Sequence, residues 1–171
     1  MAGFIVSSPY EVKREPASLG VMEPKVSIRR AAANDADAVA AVFSAAFEGM
    51  NFVPKLHSDA EDRTFVRGFI ADGETWIATH ERRPIGLACI EGDWLSHLYV
   101  HPTFQNRGAG GLLLDRVKKQ RPGGFQFWVF QANAGARRFY ERHGCAAVEF
   151  TDGRRNEEKT PDARYEWRGA S

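Results

Sequence analysis

The run Leu95-Ser96-His97-Leu98-Tyr99-Val100-His101-Pro102-Thr103-Phe104-Gln105-Asn106-Arg107-Gly108-Ala109-Gly110-Gly111 carries an apolar strand into a proline stop, and then into three glycines that open a helix. The helix is written in Leu113, Leu114 and Val117, which share one face over Gly108–Gln120. The first N–H groups of a helix have no partner in a preceding turn, and the aligned peptide dipoles add partial positive charge there. A strand, a glycine turn and a helix N-terminus therefore suit a phosphate or pyrophosphate, because glycine removes the side chains that would hold the anion off. Arg107 adds a cation beside the turn, although glycines also serve any tight turn. Spacing argues against the two commonest phosphate loops. A P-loop ends in Gly-Lys-Ser/Thr, and Gly110-Gly111-Leu112 supplies neither the lysine nor a hydroxyl for magnesium. A dinucleotide fingerprint wants a third glycine where Leu113 stands and an acid about 20 residues on, near Gln131.

Outward from this run, the apolar period alternates between helix and strand. Val26-Ser27-Ile28-Arg29-Arg30 alternates as a half-buried strand does. Asn34 then offers an N-cap to a helix marked by Val39, Val42, Phe43 and Ala46 and stopped at Gly49. Ser58 and Glu61 have capping-box spacing ahead of a second helix marked by Val66, Phe69 and Ile70. Glu74–His80 and Ile85–Glu91 read as a hairpin joined through Glu81-Arg82-Arg83-Pro84, followed by a strand over Trp94–Val100. Downstream, Phe125–Phe130 suits an interior strand. Asn133 caps a helix with Ala136, Phe139, Tyr140 and His143 inside and Gly144 as its stop. Cys145–Phe150 and Ala163–Arg168 close the chain as a strand pair around the polar loop Asp152–Pro161. This order predicts an α/β (α+β) fold: a mixed, mostly antiparallel central sheet with helices on both faces. Strands 94–100 and 125–130, joined across a helix, are parallel neighbours in it.

Residues 1–25, with Pro9, Pro16 and Pro24 and no period, are expected to form an irregular arm. Residues 26–170 of the 171 then make one domain, within the roughly 100–200 residues that a domain typically takes. Lys and Arg total 23 against 22 Asp and Glu, a net charge of +1 that speaks against nucleic acid or membrane as partner. A hydrophobic content of 43% with 26% charged residues is that of a globular chain. No apolar run reaches the roughly 18 residues of a membrane span. Cys89 and Cys145 are too few for a disulfide framework and lack metal-ligand spacing, so no metal site and a cytoplasmic location are expected.

Val100-x-Pro102-x-x-Gln105-x-x-Gly108-x-Gly110, preceded by Leu98-Tyr99, resembles the acetyl-CoA signature of the GNAT superfamily of N-acetyltransferases. Asn133-x-x-Ala136-x-x-Phe139-Tyr140-x-x-x-Gly144 is similar to the helix that follows the fifth strand in those enzymes. The motif match covers Leu95–Gly144, and the order of elements extends it over about Val26–Arg168. The resemblance implies a GNAT-like acyl-CoA N-acyltransferase fold. In it strands 94–100 and 125–130 splay apart and admit the thioester of acetyl-CoA, the acyl donor, without a metal. It further implies that Leu98 and Val100 lend backbone groups to the pantetheine arm, and that an N–H near Leu98 or Tyr99 steadies the oxyanion. Gln105, Asn106, Arg107, Gly108, Ala109, Gly110 and Gly111 would wrap the pyrophosphate, and Asn133 would meet the pantetheine from the far side. Tyr140 matches the tyrosine that protonates the departing thiolate. The chemistry suits it, since a phenol of pKa about 10 is protonated at neutral pH and a thiol of pKa about 8.5 is a moderate leaving group. A core aromatic on the inner helix face is the plainer alternative for Tyr140.

Family members often carry a Glu or His base where this chain has Trp94 or Ser96, so the base stays open. Glu91 and Asp93 lie just upstream but read as solvated strand-end carboxylates, and His97 has the opposite parity and faces away. Arg137, Arg138 and Arg142 fall on the outer side of the last helix, from where an arginine can reach the nucleotide phosphates, although solvation is the ordinary fate there. Phe47, Phe52 and Trp76 are candidates to line an acceptor pocket, or else core. The loop Asp152–Lys159 either closes over substrate, meets a second subunit or is simply solvated. Expected partners are a small-molecule amine or a peptide or protein amine as acceptor, with a homodimer as the family often forms. A non-catalytic acyl-CoA sensor is the competing reading, favoured by Trp94 and Ser96 and opposed by Tyr140.

Overall fold

Residues 25–169 are described by the structure, a computed structural model, so the arm expected over 1–25 lies, Lys25 apart, outside the described residues. The elements follow the expected order: β1 (Ser27–Arg30), α1 (Ala36–Glu48), α2 (Asp59–Asp72), β2 (Glu74–His80), β3 (Arg83–Glu91) and β4 (Trp94–Val100) come first. Then come α3 (Ala109–Gln120), β5 (Phe125–Phe130), α4 (Ala134–Arg142), β6 (Ala146–Phe150) and β7 (Asp162–Trp167). Among the described residues the strands form one sheet ordered β1-β2-β3-β4-β5-β7-β6, in which β4 with β5 is parallel and the other pairs are antiparallel.

Alternation along β3 sorts the helices onto opposite faces. A Cβ at Gly86 would stand 3.1 Å from Leu113 Cδ1 of α3, whereas Cys89, of the other parity, puts its Sγ 3.9 Å from the Phe69 carbonyl of α2. The buried stripe of α1 (Val39, Val42, Phe43, Ala46) lies with α2 on the Cys89 face, over β3 and β4. On the far face α4 sits beside α3, and Lys118 Nζ donates to the His143 carbonyl at 2.6 Å.

Two local expectations are corrected. Asn34 does not cap α1; a 3-10 turn, Ala33–Asp35, precedes the helix, and the Asp35 carboxylate accepts the Ala32 N–H at 2.8 Å. Asn and Asp cap about equally well. The decision comes from Arg29 on β1, whose guanidinium donates twice to Asp35 at 2.8 Å and holds that carboxyl below its usual range. The β2–β3 connection is also shorter than Glu81–Pro84. Glu81 (φ 48°) and Arg82 (φ 66°) make a two-residue left-handed turn, and β3 starts at Arg83. Pro84 sits beside a bulge, paired with Thr79, where a missing N–H is tolerated.

His97 faces the aromatic cluster under α1 and α2. It is 4% exposed, with the rings of Phe69, Phe65 and Phe43 at 4.8, 5.4 and 5.9 Å and a buried Nδ1 that has no partner among the described residues. Burial pushes its pKa from 6.5 down to about 3. The folded value lies below the unfolded one, so between them the unfolded chain binds the extra proton. Stability is therefore lost as pH falls through that window, at up to about 1.4 kcal/mol per pH unit. His97→Leu is expected to flatten this acid limb: thermal melts should favour the variant more at about pH 4.5 than at about pH 7.5. An equal difference at both pH values would remove His97 as the cause.

Candidate active site

β4 and β5 share one registered pair, Trp94↔Gln126, closed by the Gln126 N–H to the Asp93 carbonyl at 2.9 Å. The indoles of Trp94 and Trp128 stack near this end, 6.5 Å apart. Beyond it the strands no longer pair, and a V opens toward Val100 and Phe130. Buried backbone groups left unsatisfied cost roughly 1–3 kcal/mol each, so an unpaired edge inside a sheet is suited to a guest with amides of its own. A bulge lies in the same strand: Cys89 pairs with His97 and Ile90 with Leu95, leaving Ser96 as the extra residue.

At the open end the chain enters the glycine turn. Gln105 Nε2 donates to the Val100 carbonyl at 3.0 Å, so the Gln105 side chain braces the loop against the strand. Asn106 (φ 60°) and Gly108 (φ 87°) then swing the backbone through the left-handed region, and Gly108 starts α3 with no side-chain cap. The N–H groups of Ala109, Gly110 and Gly111 precede the first intrahelical bond, which runs from Leu112 N–H to the Gly108 carbonyl at 3.1 Å. Gly108, Gly110 and Gly111 line a cavity with Val100, Gln105 and Asn106, and α4 contributes Phe139, Arg142 and His143 to it. Arg107 is exposed outside that lining, its guanidinium 5.8 Å from the Phe104 ring.

Arg142, one of the three arginines the sequence offers within reach of phosphates, lines this cavity, whereas His143 was not legible as part of it. The Phe139 carbonyl, 2.7 Å from His143 Nδ1, can only accept; it therefore fixes the ring proton on Nδ1 and leaves Nε2 toward the turn, 3.4 Å from where a Gly111 Cβ would stand. Helical period groups His143 with the core residues and Arg142 with the solvated ones, and nothing in the period marks where α4 meets α3. Of the neighbouring arginines, Arg137 donates to the Tyr165 hydroxyl at 3.1 Å and Arg138 stays exposed.

The side chains of Leu98, Tyr99 and Val100 are all core, between 0% and 1% exposed, so what β4 offers a ligand is backbone. Asn133 does two things. Its Oδ1 caps α4 by accepting the Ala136 N–H at 3.0 Å, while its Nδ2 is buried with no partner among the described residues. Asn133→Ala should cost about 1 kcal/mol of stability through the lost cap. Asn133→Asp keeps the cap and deletes only the donor, so melting should be nearly unchanged while calorimetry shows weakened acyl-CoA binding. Equal affinity for Asn133→Asp and the parent would confine Asn133 to capping.

Tyr140 is 1% exposed, with its ring 4.2 Å from Phe127 and 5.1 Å from Phe139. Burial pushes its phenol pKa well up. At the closed end the Ser96 hydroxyl donates to the Glu91 carboxylate, and Gln126 Nε2 donates to Asp93 at 3.1 Å; both carboxylates are exposed.

On the α1–α2 face a second cavity of about 210 Å³ lies between those helices and the β6–β7 loop. Phe43, Phe47, Phe65 and Leu56 wall it, and Ser44, Asp62 and Glu158 reach it. Phe47 is thus where the sequence placed it. Phe52 turns instead to Phe130 at 6.4 Å, and Trp76 lies on the opposite face, stacked under Arg116 of α3 at 4.5 Å. Trp76 is corrected out of the acceptor pocket because strand parity, not aromatic character, decides its side.

An uncapped helix N-terminus follows the unpaired edge of β4, and an orphaned Asn133 donor stands just past β5; this donor set fits a ligand that carries phosphates at one end and amides along its length. Fold and cleft define an acyl-CoA-dependent acyltransferase. Residues 71–144 match the family model of the acetyltransferase (GNAT) domain, which together with the relatives below supports a GNAT N-acetyltransferase. It is 22% identical over 120 residues to the peptidyl-lysine N-acetyltransferase YjaB of Salmonella typhimurium strain LT2, covering 70% of this chain and 82% of that one. With the peptidyl-lysine N-acetyltransferase YiaC of Escherichia coli strain K12 it shares 28% identity over 82 residues, 47% of this chain and 56% of the relative. Its fold matches the solution structure of apo-form YjaB from Escherichia coli with a TM-score of 0.70 at 22% identity, over 85% of this chain and 99% of that one. Among the described residues no group of three or more His, Cys, Asp or Glu is placed to hold a metal ion. No described helix is long and apolar enough to cross a membrane.

Proposed function

We propose that this chain moves the acetyl group of acetyl-CoA to a primary amine by direct attack within a ternary complex. The observation that carries the reading is the parting of β4 and β5 after the single pair Trp94↔Gln126, beside the uncapped turn at Gly108. Backbone N–H groups over Gln105–Gly111 hold the pyrophosphate, with Arg142 and His143 at the rim of the same cavity. The open edge of β4 from Leu98 to Val100 takes the pantetheine amides, and Asn133 Nδ2 meets them from β5's end. A backbone N–H by the Ser96 bulge, near Leu98 or Tyr99, faces the carbonyl oxygen. Such a donor is worth about 2.7–4 kcal/mol when charge develops. Attack by a neutral amine forms the C–N bond and breaks the C–S bond; Tyr140 gives its proton to the leaving sulfur, and the proton lost by nitrogen passes through water to restore the Tyr140 hydroxyl. The products are one amide and one free thiol.

An acetyl-CoA turnover screen across an amine panel, reading free thiol, tests this directly. Amine-dependent thiol release with amide formation is the expected result. Tight acetyl-CoA binding without turnover on any amine would leave the chain a sensor rather than a transferase.

A further inference from the structure

We infer that the acceptor of this chain is a small free primary amine with a compact apolar body, seated in the cavity between α1, α2 and the β6–β7 loop with its ammonium against Asp62 and Glu158. The inference rests on the acetyl-transfer reading above and narrows its substrate class. Size is the first reason. At about 210 Å³ the cavity is smaller than the roughly 300–1,000 Å³ of sites for drug-sized ligands, and its walls are the rings of Phe43, Phe47 and Phe65 with Leu56.

Charge is the second reason, and it follows by elimination. Lys55 at the rim is neutralised by Asp59 at 3.1 Å and Glu48 at 3.4 Å. Glu61 is spent in the capping box, accepting the Ser58 N–H at 2.8 Å. Glu157 pairs with His57 at 2.9 Å, a contact that ties the segment ahead of α2 to the β6–β7 loop. Asp62 and Glu158 remain, 8% and 9% exposed, and neither forms an ion pair among the described residues. Asp62 accepts one hydrogen bond, from Ser44 Oγ at 2.8 Å, and the Glu158 carboxylate has no side-chain partner among the described residues. Buried carboxylates without a cation are costly, and a ligand ammonium relieves that cost.

Position is the third. The Tyr99 ring, on β4, the strand that borders the V, packs on two rings of the cavity wall, Phe43 at 5.1 Å and Phe47 at 5.6 Å. Burial first, then the charges of Tyr140, Glu158 and Asp62, push the Tyr99 phenol up. The ammonium end of a bound amine is placed at Asp62 and Glu158, and its apolar end among the phenylalanines.

The test compares 2-phenylethylamine, spermidine and a short lysine peptide as acceptors for the full chain, reading thiol release. 2-Phenylethylamine is expected to exceed both others by about tenfold or more in kcat/KM, a preference of about 1.4 kcal/mol. Phe65→Ala should narrow its lead over the peptide, and Glu158→Gln and Asp62→Asn should each raise its KM about tenfold, with acetyl-CoA affinity and melting temperature retained. Preference for the peptide or for spermidine would overturn the inference while leaving acetyl transfer standing. So would a KM untouched by both carboxylate substitutions. Thiol release with none of the three while another amine of the panel is turned over would also overturn the inference alone, whereas silence across the whole panel against intact acetyl-CoA binding would remove the transfer reading and this inference with it.

Discussion

Tyr140→Phe is expected to turn over acetyl-CoA slower than the parent by about 10²-fold or more, with acetyl-CoA affinity barely changed. The substitution removes one oxygen and keeps the ring that packs at 4.2 Å on Phe127, so the core has little reason to rearrange. What goes is the proton. Burial raises the phenol pKa, which keeps Tyr140 protonated throughout the working pH range but also makes it a weaker acid than a phenol in water. Proton transfer is therefore driven by the negative charge that builds on the departing sulfur. Steady-state kinetics with calorimetry on the same preparation checks this, and unaltered turnover would return Tyr140 to the core.

Gly108→Val is expected to abolish acetyl-CoA binding measured by calorimetry while the fold persists. A Cβ at Gly108 meets nothing within 4 Å, so no clash is involved; the obstacle is φ at 87°, a region where a β-branched residue is strained. Strain of about 1–3 kcal/mol is relieved by swinging φ negative, which turns the N–H groups of Ala109, Gly110 and Gly111 away from the cavity. Gly108→Asn, which tolerates left-handed φ far better, should keep most of the affinity. Retained binding in the valine variant would place the phosphates elsewhere.

What the sequence disclosed were features closed within a few residues of themselves. The capping box Ser58/Glu61, the stop at Gly49, the glycine turn and the Asn133 cap each depend on neighbours in the chain, and each is found in place. The parallel pairing of β4 with β5 followed too, since connection length and handedness leave few choices, whereas the seat of β7 between β5 and β6 was not foreseen. Asp35 was missed in favour of Asn34 because the deciding partner, Arg29, lies on another element. Asp62 and Glu158 were invisible for a related reason. One sits on an amphipathic helix and the other in a charged loop, and only tertiary packing buries both in one chamber. His143 likewise acquires meaning where α4 comes alongside α3.

The two cavities open on opposite faces of the sheet, one beneath α3 and α4, the other beneath α1 and α2. With donor and acceptor seated as proposed, each has its own doorway, and neither must wait for the other to vacate a shared corridor. Initial-velocity lines should intersect rather than run parallel, and spent coenzyme should be able to depart while the next amine is already seated.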